Sequence, residues 1–255
     1  MEIISSLDNE RVKFWNKLNT KKFRDSENLF LVEGDHLVIE ALKIGCIKEV
    51  IMDSEKLFPF DVFTHYVTKE VMAKITCMQT IPDIIAVCYK KEATSYGDKL
   101  LLIDALQDPG NLGTIIRSAT AFGINTIILG DNTVDLYNDK TIRSSEGMMF
   151  HIDVIKANLS EFIPRIKNED YKVFGTNVES GKLLSEIMLR SKYAFIVGNE
   201  GAGVSGKLLE LCDENIYIPM SNKCESLNVA VATGIILYEM SEKYNGWFYF
   251  YWKNC

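Results

Sequence analysis

A regular alternation of strand-length apolar runs with amphipathic helical patterns fills the chain beyond residue 98. Runs typical of strands, such as LLLIDAL, TIILG and YAFIVG, are separated by patterns typical of helices, such as TIIRSATAFG and SEFIPRIKN. Buried strands that alternate with helices form a parallel sheet that helices cover on both faces. Ligands of such sheets bind beyond the carboxyl ends of the strands, so chemistry is expected in the loops that follow strands.

The first part of the chain has the pattern of a smaller α/β domain. Strands are predicted for LFLVEG, EVIMD and IIAVCYK, and a helix is predicted for HLVIEALKIG, with Gly45 as its C-terminal cap. The polar segment KKEATSYGDK then separates this part from the apolar run LLLIDAL. We therefore predict an α/β domain over residues 1–92, a linker over 93–98 and a second α/β domain over 99–255.

Composition places the chain among ordinary folded proteins, with 47% hydrophobic and 25% charged residues. The segment MEIISSLDNERVKFW has early acidic residues and no uninterrupted apolar stretch, and no other run approaches the roughly 18 apolar residues that span a bilayer. We expect a cytoplasmic protein that is neither secreted nor embedded in a membrane. Six cysteines without a C-x-x-C pair, and three well-separated histidines, predict reduced thiols and no metal site.

A basic segment, RVKFWNKLNTKKFR at 11–24, contrasts with the formal net charge of -7. It contains three aromatic residues, no acid and six cations, which are Arg11, Lys13, Lys17, Lys21, Lys22 and Arg24. An acidic protein does not attract nucleic acid through its overall field, but a local patch can still bind phosphates. The alternative is a solvated helix face whose aromatic residues anchor the helix to a core. The sequence leaves these two interpretations open.

The first segment that follows a strand of the second domain is DALQDPGNLGTIIRSATAFGI, at 104–124. Its Asp-Pro-Gly sequence predicts a turn, Asn111 is suited to cap the following helix, and Gly113 permits a close approach of the backbone. Arg117 is then expected in the first turns of that helix. From spacing alone, Arg117 is also suited to an ordinary surface ion pair.

The second segment, FIVGNEGAGVS at 195–205, runs from an apolar strand into a loop with Gly198, Gly201 and Gly203. Such a loop presents free backbone N–H groups and leaves room for a ligand against the main chain. Its pattern is G-x-x-G-x-G, which is neither the dinucleotide fingerprint nor a phosphate-binding loop that ends in G-K-[ST]. Glu200 would repel a phosphate, so the segment favours a ligand without phosphate groups.

The third segment, IPMSNKCESLNVAVATGIILYE at 218–239, contains a helix whose apolar positions are nearly continuous. We expect Glu225 or Ser226 to cap this helix, and the helix to be buried against the sheet or against another subunit. Ser226 and Asn228 lie at its start, where plain capping is the simplest interpretation. Cys224 has no histidine nearby in sequence, and we expect a small core thiol there instead of a nucleophile.

Together, the order and spacing of these three segments resemble the three signature motifs of the SpoU family in the SPOUT class of methyltransferases. Residues 134–154, VDLYNDKTIRSSEGMMFHIDV, resemble the subgroup that contains ribosomal RNA ribose methyltransferases and thiostrepton-resistance enzymes. More loosely, SLDNERVKFWNKL and LFLVEGDHLVIEAL resemble the RNA-binding domain that precedes the catalytic domain in that subgroup. The resemblance implies transfer of a methyl group from S-adenosylmethionine to a ribose 2′-hydroxyl, with ribosomal RNA as the leading substrate and transfer RNA as the second.

The resemblance also implies a deep trefoil knot at the carboxyl end of the catalytic domain, and a homodimer formed through that domain. S-adenosylmethionine is then expected in the knot, held by Thr176, Asn177, Val197, Gly198, Asn199, Gly201, Gly203, Ile218, Met220, Ser226 and Leu227. RNA contacts are expected from the six cations of the basic segment, from Arg117 and from Arg143. No metal is implied.

By resemblance, Arg117 acts on the 2′-hydroxyl, directly or through a phosphate. The residues that position the RNA and shape the site are then Asn111, Glu200, Ser226 and Asn228. A ribose hydroxyl is a very weak acid, so the enzyme must orient it and assist the loss of its proton. Because arginine is almost always protonated, electrostatic stabilisation of the developing alkoxide is the preferred role for Arg117 over that of a base.

Two positions depart from the family pattern, since Ala230 replaces a serine in SLNVAVA and Glu146 stands in S-E-G where the subgroup has S-M-G. These differences concern secondary contacts. The alternative from another functional class is a knotted RNA-binding or ribosome-assembly protein without turnover, which the joint presence of the five motif residues opposes. A dehydrogenase or a kinase is disfavoured, because both nucleotide fingerprints are absent.

Overall fold

The computed structural model describes residues 3–91, 93–177, 181–221 and 223–244, so Cys255 lies outside the described residues. The chain forms two compact units. The first comprises Met1–Glu92 with Asp135–His151, and the second comprises Ala93–Val134 with Ile152–Cys255. No helix within the described ranges is both long and apolar enough to cross a bilayer.

The helices and strands follow each other along the whole described chain. Those up to residue 89 are β1 (Ile3–Ile4), α1 (Glu10–Lys17), α2 (Lys21–Glu27), β2 (Leu29–Glu33), α3 (Asp35–Ile44), β3 (Ile47–Asp53), β4 (Thr64–Val67), α4 (Lys69–Ile75) and β5 (Ile84–Tyr89). Those from residue 99 onward are β6 (Lys99–Ile103), α5 (Pro109–Ala121), β7 (Thr126–Leu129), α6 (Asp139–Ser144), β8 (Asp153–Lys156), α7 (Leu159–Lys167), β9 (Lys172–Thr176), β10 (Lys182–Leu183), β11 (Tyr193–Val197), α8 (Gly206–Leu211), β12 (Glu214–Tyr217) and α9 (Val229–Tyr244). The strands and helices predicted above are all among them, and Gly45 caps α3 with a φ of 72°.

The second unit is built on a seven-stranded sheet in the order β10-β12-β9-β11-β6-β7-β8, and its pairings are parallel. Its central strands are apolar along their length, and all five residues of β11 are buried. Strands without polar alternation are buried on both faces, as a parallel sheet requires. The predicted α/β architecture with a parallel sheet is therefore confirmed, while the trefoil knot stays a prediction.

The first unit contains a five-stranded mixed sheet in the order β1-β4-β3-β5-β2. Successive strand residues point to opposite faces, so Leu29 and Leu31 of β2 pack into the core cluster that contains Trp15 of α1. Phe30, between them, lies on the other face, with its ring centroid 4.6 Å from that of Tyr137. Both faces of this sheet are thus covered, and the unit has the small α/β architecture expected from the sequence.

The segment Asp135–His151 is part of the first unit, although it lies in sequence between β7 and β8 of the second. Asp135 accepts a hydrogen bond from Arg24 at 2.7 Å, and the two side chains are only 8% and 7% exposed. At the other end of the segment, Nε2 of His151 lies 2.7 Å from a carboxylate oxygen of Glu40. The predicted boundaries, 1–92 and 99–255, do not anticipate this grouping, because both contacts join residues 111 positions apart.

The basic segment 11–24 folds into parts of two helices, and its cations have different surroundings. Arg24 is buried, and its Nη1 also donates to the carbonyl oxygens of Leu18 and Asn19, at 3.0 and 2.9 Å. This corrects the prediction that Arg24 contacts RNA, because an ion pair and two backbone acceptors hold its guanidinium inside the unit. The other five cations are exposed. The aromatic anchor is Trp15, which is fully buried and donates its indole N–H to Glu49 at 2.8 Å.

Replacing Arg24 with alanine is expected to lower the free energy of unfolding by about 3–5 kcal/mol, because the Asp135 carboxylate stays buried without its partner. Lys22→Ala is the matched control, since Lys22 is an exposed cation of the same helix and its loss is expected to change stability by less than about 0.5 kcal/mol. Urea unfolding measures both. Equal stability of the two variants would show that the ion pair contributes nothing to the first unit.

Candidate functional site

The segments singled out by the sequence meet at one edge of the seven-stranded sheet. β6 and β11 are adjacent and parallel, and their last residues, Ile103 and Val197, are paired. From β6 the sheet continues to β7 and β8 on one side, and from β11 it continues to β9 on the other. Such a reversal of strand order opens a crevice at the carboxyl ends of the strands, where ligands of α/β proteins bind.

Hydrogen bonds join the loop after β6 to the loop after β11. The Asp104 carboxylate accepts from the backbone N–H of Ser205, and the side-chain amide of Asn199 donates to the carbonyl oxygen of Ala105, both at 2.9 Å. Ala105 has a φ of 52°, in the left-handed region that alanine rarely adopts. Its carbonyl oxygen also accepts from the side-chain amide of Gln107 at 2.9 Å. Two amide donors therefore hold this turn in a conformation that alanine alone disfavours.

The glycine-rich loop after β11 doubles back on itself. Asn199 and Gly203 exchange two backbone hydrogen bonds of 3.0 Å, and Gly203 has a φ of +67°. Gly198 lies directly against this return, because an added Cβ would overlap the carbonyl group of Gly203. At Gly201, in contrast, the nearest atom to an added Cβ would be 3.7 Å away. The backbone therefore requires glycine at 198 and 203 but not at 201.

The carboxylate of Glu200 joins this loop to the start of α5. Its Oε1 accepts from the backbone N–H of Asp108 at 2.9 Å and from Nδ2 of Asn111 at 3.1 Å. Its Oε2 accepts from the backbone N–H of Gln107 at 3.2 Å. Asn228 in turn donates its Nδ2 to Oδ1 of Asn111 at 3.1 Å. Three of the predicted catalytic residues, Asn111, Glu200 and Asn228, thus form one hydrogen-bonded chain.

These hydrogen bonds determine the charge of Glu200. Partial burial raises its pKa, but the donors from Asp108, Asn111 and Gln107 outweigh that effect, and the pKa lies below the ordinary value of a glutamate. The side chain is therefore a carboxylate at neutral pH. Because a group with a low pKa is a weak base, the network is suited to positioning and to attracting positive charge, not to accepting a proton.

The helix that carries Asn111 begins differently from the prediction. α5 starts at Pro109, and the side chain of Asp108 caps it by accepting from the backbone N–H of Asn111. Proline suits the first helical position because its φ is already helical and it has no N–H to satisfy. Asn111 is therefore free of the capping role predicted for it. Arg117 is the ninth residue of α5, beyond the first turns in which it was expected.

The third segment also has a different cap. α9 starts at Val229, and Oδ1 of Asn228 accepts from the backbone N–H of Ala230 at 2.9 Å, so neither Glu225 nor Ser226 caps the helix. The same Asn228 side chain uses its amide nitrogen in the hydrogen-bonded chain to α5. One residue therefore both begins α9 and ties it to the site, a double role that spacing alone did not indicate.

A cavity of about 250 Å³ lies among these loops in the second unit. The wall residues that the sequence predicted for the cofactor are Thr176, Asn177, Val197, Gly198, Asn199, Gly201, Gly203, Ile218, Met220, Ser226 and Leu227. Glu200, which was predicted to position the RNA, also lies in the wall. The wall residues that the sequence missed are Ala202, Val204, Leu209, Ile216, Tyr217, Val229, Ala232 and Ile236. Most of the missed residues are apolar, and in sequence they have the pattern of any core residue.

The chemistry of the wall restricts the ligand. Its described residues include no lysine, arginine or histidine, and Glu200 supplies their one charged side chain. A phosphate group would meet a carboxylate there and no cation. The wall instead suits a ligand that has apolar parts, hydrogen-bonding groups and a positive charge, such as a sulfonium, and S-adenosylmethionine fits this description. The described residues also contain no group of three His, Cys, Asp or Glu placed to hold a metal ion.

The remaining predicted residues lie apart from the hydrogen-bonded chain. Arg117 is exposed on α5, and it makes no hydrogen bond or ion pair with any other described residue. Arg143 pairs with Asp139 at 2.8 Å in the first unit. Cys224 is exposed, which corrects the expectation of a core thiol, and its Sγ lies 3.1 Å from the carbonyl oxygen of Ser226.

Comparison with known proteins identifies relatives over nearly the whole chain. The 23S rRNA (guanosine(2553)-2'-O)-methyltransferase RlmP of Bacillus subtilis is 45% identical over 246 residues, covering 94% of this chain and 99% of that protein. The crystal structure of an S-adenosylmethionine-bound rRNA methyltransferase from Sinorhizobium meliloti is similar with a TM-score of 0.85 at 30% identity, covering 95% of this chain and 98% of that one. A crystal structure of an RNA 2'-O ribose methyltransferase gives a TM-score of 0.82 at 29% identity, covering 95% and 99%.

The glycine loop provides a direct test of the cavity. Gly198→Ala is expected to weaken binding of S-adenosylmethionine by about tenfold or more, because the loop cannot close around an added methyl group. Gly201→Ala is the matched control and is expected to bind within about twofold of wild type, because the nearest atom to its added methyl group lies at an ordinary van der Waals distance of 3.7 Å. Isothermal titration calorimetry measures both affinities, and circular dichroism checks that both variants fold. Wild-type affinity in Gly198→Ala would contradict the assignment of this loop to the cofactor.

Two family models match the chain. Residues 9–86 match the MRM3-like substrate binding domain, which covers most of the first unit's sheet. Residues 98–238 match the SpoU rRNA methylase family, and this match includes the loops after β6 and β11 and most of α9. The match exceeds half of the chain and contains the cavity wall. The chain therefore belongs to the SpoU rRNA methylase family and is an S-adenosylmethionine-dependent RNA methyltransferase.

Proposed function

We propose that this enzyme methylates the ribose 2′-hydroxyl of a guanosine in 23S ribosomal RNA. Support for this target comes from RlmP of Bacillus subtilis, whose name specifies that modification and which aligns with nearly the whole chain. The structural observation that carries the proposal is the cavity, whose described wall has one carboxylate and no cation. That wall suits a sulfonium methyl donor and disfavours a cofactor with phosphate groups.

When bound, the cofactor would supply an activated methyl group on its sulfonium sulfur. As the bond from that methyl group to the 2′-oxygen forms, the carbon–sulfur bond would break and the hydroxyl proton would pass to solvent water. The protein has to orient the hydroxyl and stabilise the negative charge that develops on its oxygen. We assign this task to Arg117, because its guanidinium is exposed and has no partner among the described residues. Since arginine stays protonated, Arg117 acts through its charge and not as a base.

Glu200, Asn111 and Asn228 act in this proposal as positioning residues. Both carboxylate oxygens of Glu200 are occupied by donors from the start of α5, so the side chain holds two loops together. The link from Asn111 to Asn228 extends the same restraint to α9. Because α5 carries Arg117, the hydrogen bonds that hold the start of α5 also determine the position of the Arg117 guanidinium relative to the cavity.

We further propose a homodimer formed through α9. Val231, Ile235 and Tyr238 are 51%, 39% and 54% exposed, and their spacings of four and three residues place them on one face of the helix. A row of exposed apolar side chains is typical of a face that another chain covers. Tyr238 also packs edge-on against Phe122, the residue that follows α5, at 6.0 Å, so the proposed interface adjoins the end of the helix that carries Arg117.

We assign RNA binding to cations of the first unit. Arg117 of the second unit acts on the ribose. Those cations of the first unit are the exposed Arg11, Lys13, Lys17, Lys21 and Lys22, and the half-buried Arg143 of α6. The match of residues 9–86 to a substrate binding domain supports this assignment. The proposal also includes the trefoil knot in the second unit and a cytoplasmic location.

Arg117→Ala is expected to reduce the rate of methyl transfer at least about 100-fold, because removing one preorganised donor from a developing oxyanion has that order of effect. Affinity for S-adenosylmethionine is expected to stay unchanged, since Arg117 is not in the cavity wall. The measurement is transfer of labelled methyl to unmodified 23S ribosomal RNA, with the product mapped to ribose or base. Arg190→Ala, which removes another exposed arginine of the second unit, is the control and is expected to retain full activity.

The same assay separates the alternatives. Label in transfer RNA instead of ribosomal RNA would reassign the substrate. Binding of S-adenosylmethionine without transfer to either RNA would favour a ribosome-assembly protein. Full activity in Arg117→Ala would remove Arg117 from the mechanism.

Tyr238→Asp is expected to convert the protein from a dimer into a monomer, because it places a charge on the apolar face of α9. Met188→Asp is the control, since Met188 is 80% exposed but lies outside α9. Size-exclusion chromatography with light scattering gives both masses. A wild-type monomer, or a dimer that survives Tyr238→Asp, would contradict the proposed interface.

A further inference from the structure

The loop that joins β3 to β4 exposes several large apolar side chains. Leu57 is 80% exposed, Phe60 is 46% exposed, and Phe63 is 63% exposed, which makes Phe63 the most exposed aromatic residue of the described chain. Exposed aromatic side chains that lie together mark binding surfaces more often than isolated ones. None of these residues has a role in the methyl-transfer site of the second unit.

The ring of Phe63 is held by rigid neighbours. Its carbonyl oxygen accepts a hydrogen bond from the backbone N–H of Val50 at 2.9 Å, which fixes the residue to β3. Its ring lies edge-on against the imidazole of His65, with 4.6 Å between centroids. In the same loop, Phe60 packs edge-on against Phe58 at 5.2 Å. The rings are therefore placed before any ligand arrives, and their ordering costs little on binding.

The guanidinium of Arg11 lies next to His65, the residue against which the ring of Phe63 packs. Nη1 of Arg11 lies 3.1 Å from Nε2 of His65 and 3.7 Å from Oε2 of Glu49, and the arginine side chain remains 53% exposed. Glu49 is buried and also accepts the indole N–H of Trp15, so it is a fixed anchor for Arg11. We call Phe63, His65 and Arg11 together the aromatic–guanidinium surface.

The charge beside this surface favours nucleic acid over protein as the ligand. Arg11 lies at the start of α1, and the same helix exposes Lys13 and Lys17. A flat ring next to a guanidinium matches an unpaired nucleotide, whose base stacks on the ring while its phosphate meets the cation. A duplex offers no free base face, so a surface of this kind selects unpaired RNA.

We propose that the aromatic–guanidinium surface binds an unpaired nucleotide of the substrate RNA, with its base stacked on Phe63 and its phosphate paired with Arg11. The inference rests on the proposed function, because it takes RNA as the substrate. It assigns recognition of single-stranded or looped RNA to the first unit, at a surface separate from the reacting ribose. Methylation then requires that the target RNA carry an unpaired nucleotide for this surface.

The test compares Phe63→Ala, Phe63→Leu and Phe63→Trp with Leu57→Ala, an exposed apolar residue of the same loop. Fluorescence anisotropy measures binding of a short labelled oligoadenylate and of a fully paired RNA duplex of the same length. Loss of ring stacking is expected to weaken oligoadenylate binding about 5- to 100-fold in the Ala and Leu variants, whereas Trp restores it. Duplex binding, S-adenosylmethionine affinity and the melting temperature are expected to stay at wild-type values, as is every property of Leu57→Ala.

Oligoadenylate affinity in Phe63→Leu equal to that of wild type would overturn the inference, since leucine keeps the apolar volume and lacks the ring. Equal losses for oligoadenylate and duplex would also overturn it, because they would indicate a general electrostatic effect. Methyl transfer to 23S ribosomal RNA distinguishes a failure of the proposed function from a failure of this inference. No transfer by the wild-type enzyme would refute the proposed function, whereas transfer with an unchanged KM in Phe63→Leu would refute only the role of this surface.

Discussion

The carboxylate of Glu200 accepts hydrogen bonds from Gln107, Asp108 and Asn111, which follow β6, although Glu200 itself follows β11. The two strands are neighbours in the sheet, while the residues that bond lie about 90 positions apart in sequence. Two of the three donors are backbone N–H groups, so the turn that begins α5 holds the glycine-rich loop directly. The cavity, the start of α5 and, through Asn228, the start of α9 all depend on this interaction.

Charge is divided between different parts of the molecule. The described cavity wall contains one carboxylate and no cation, whereas exposed cations occur on α5 and on the two helices of the basic segment. A cationic methyl donor and a polyanionic RNA require opposite surroundings, and this arrangement provides each of them at its own surface. It also explains how an acidic chain can be suited to RNA, because local charge and not the net charge of -7 decides the contact.

The first unit includes a segment that lies within residues 98–238, the part of the chain that matches the SpoU rRNA methylase family. That segment, Asp135–His151, is joined to the rest of the unit by the buried pair of Arg24 with Asp135 and by the contact of Glu40 with His151. A buried charge without its partner is costly, so these pairs specify which part of the chain covers the sheet. The polypeptide therefore enters the first unit twice, and the two units do not correspond to two continuous segments.

The sequence by itself determined most strands and helices of the second unit, its parallel sheet, and the glycines, amides and Glu200 that lie at the cavity in loops that follow strands. The short strand β10 was not predicted. The predicted features are local, since apolar periodicity sets each element and the right-handed, parallel connection brings the loops to one edge. Only the tertiary structure decided that Arg24 is buried, that Asp108 and Asn228 are the helix caps, and that apolar residues such as Ile216 line the cavity. The burial of Arg24 and the wall of the cavity depend on partners distant in sequence, about which a pattern of neighbouring residues carries no information. The two caps are local hydrogen bonds, but each was one of several neighbouring polar side chains that could have capped its helix.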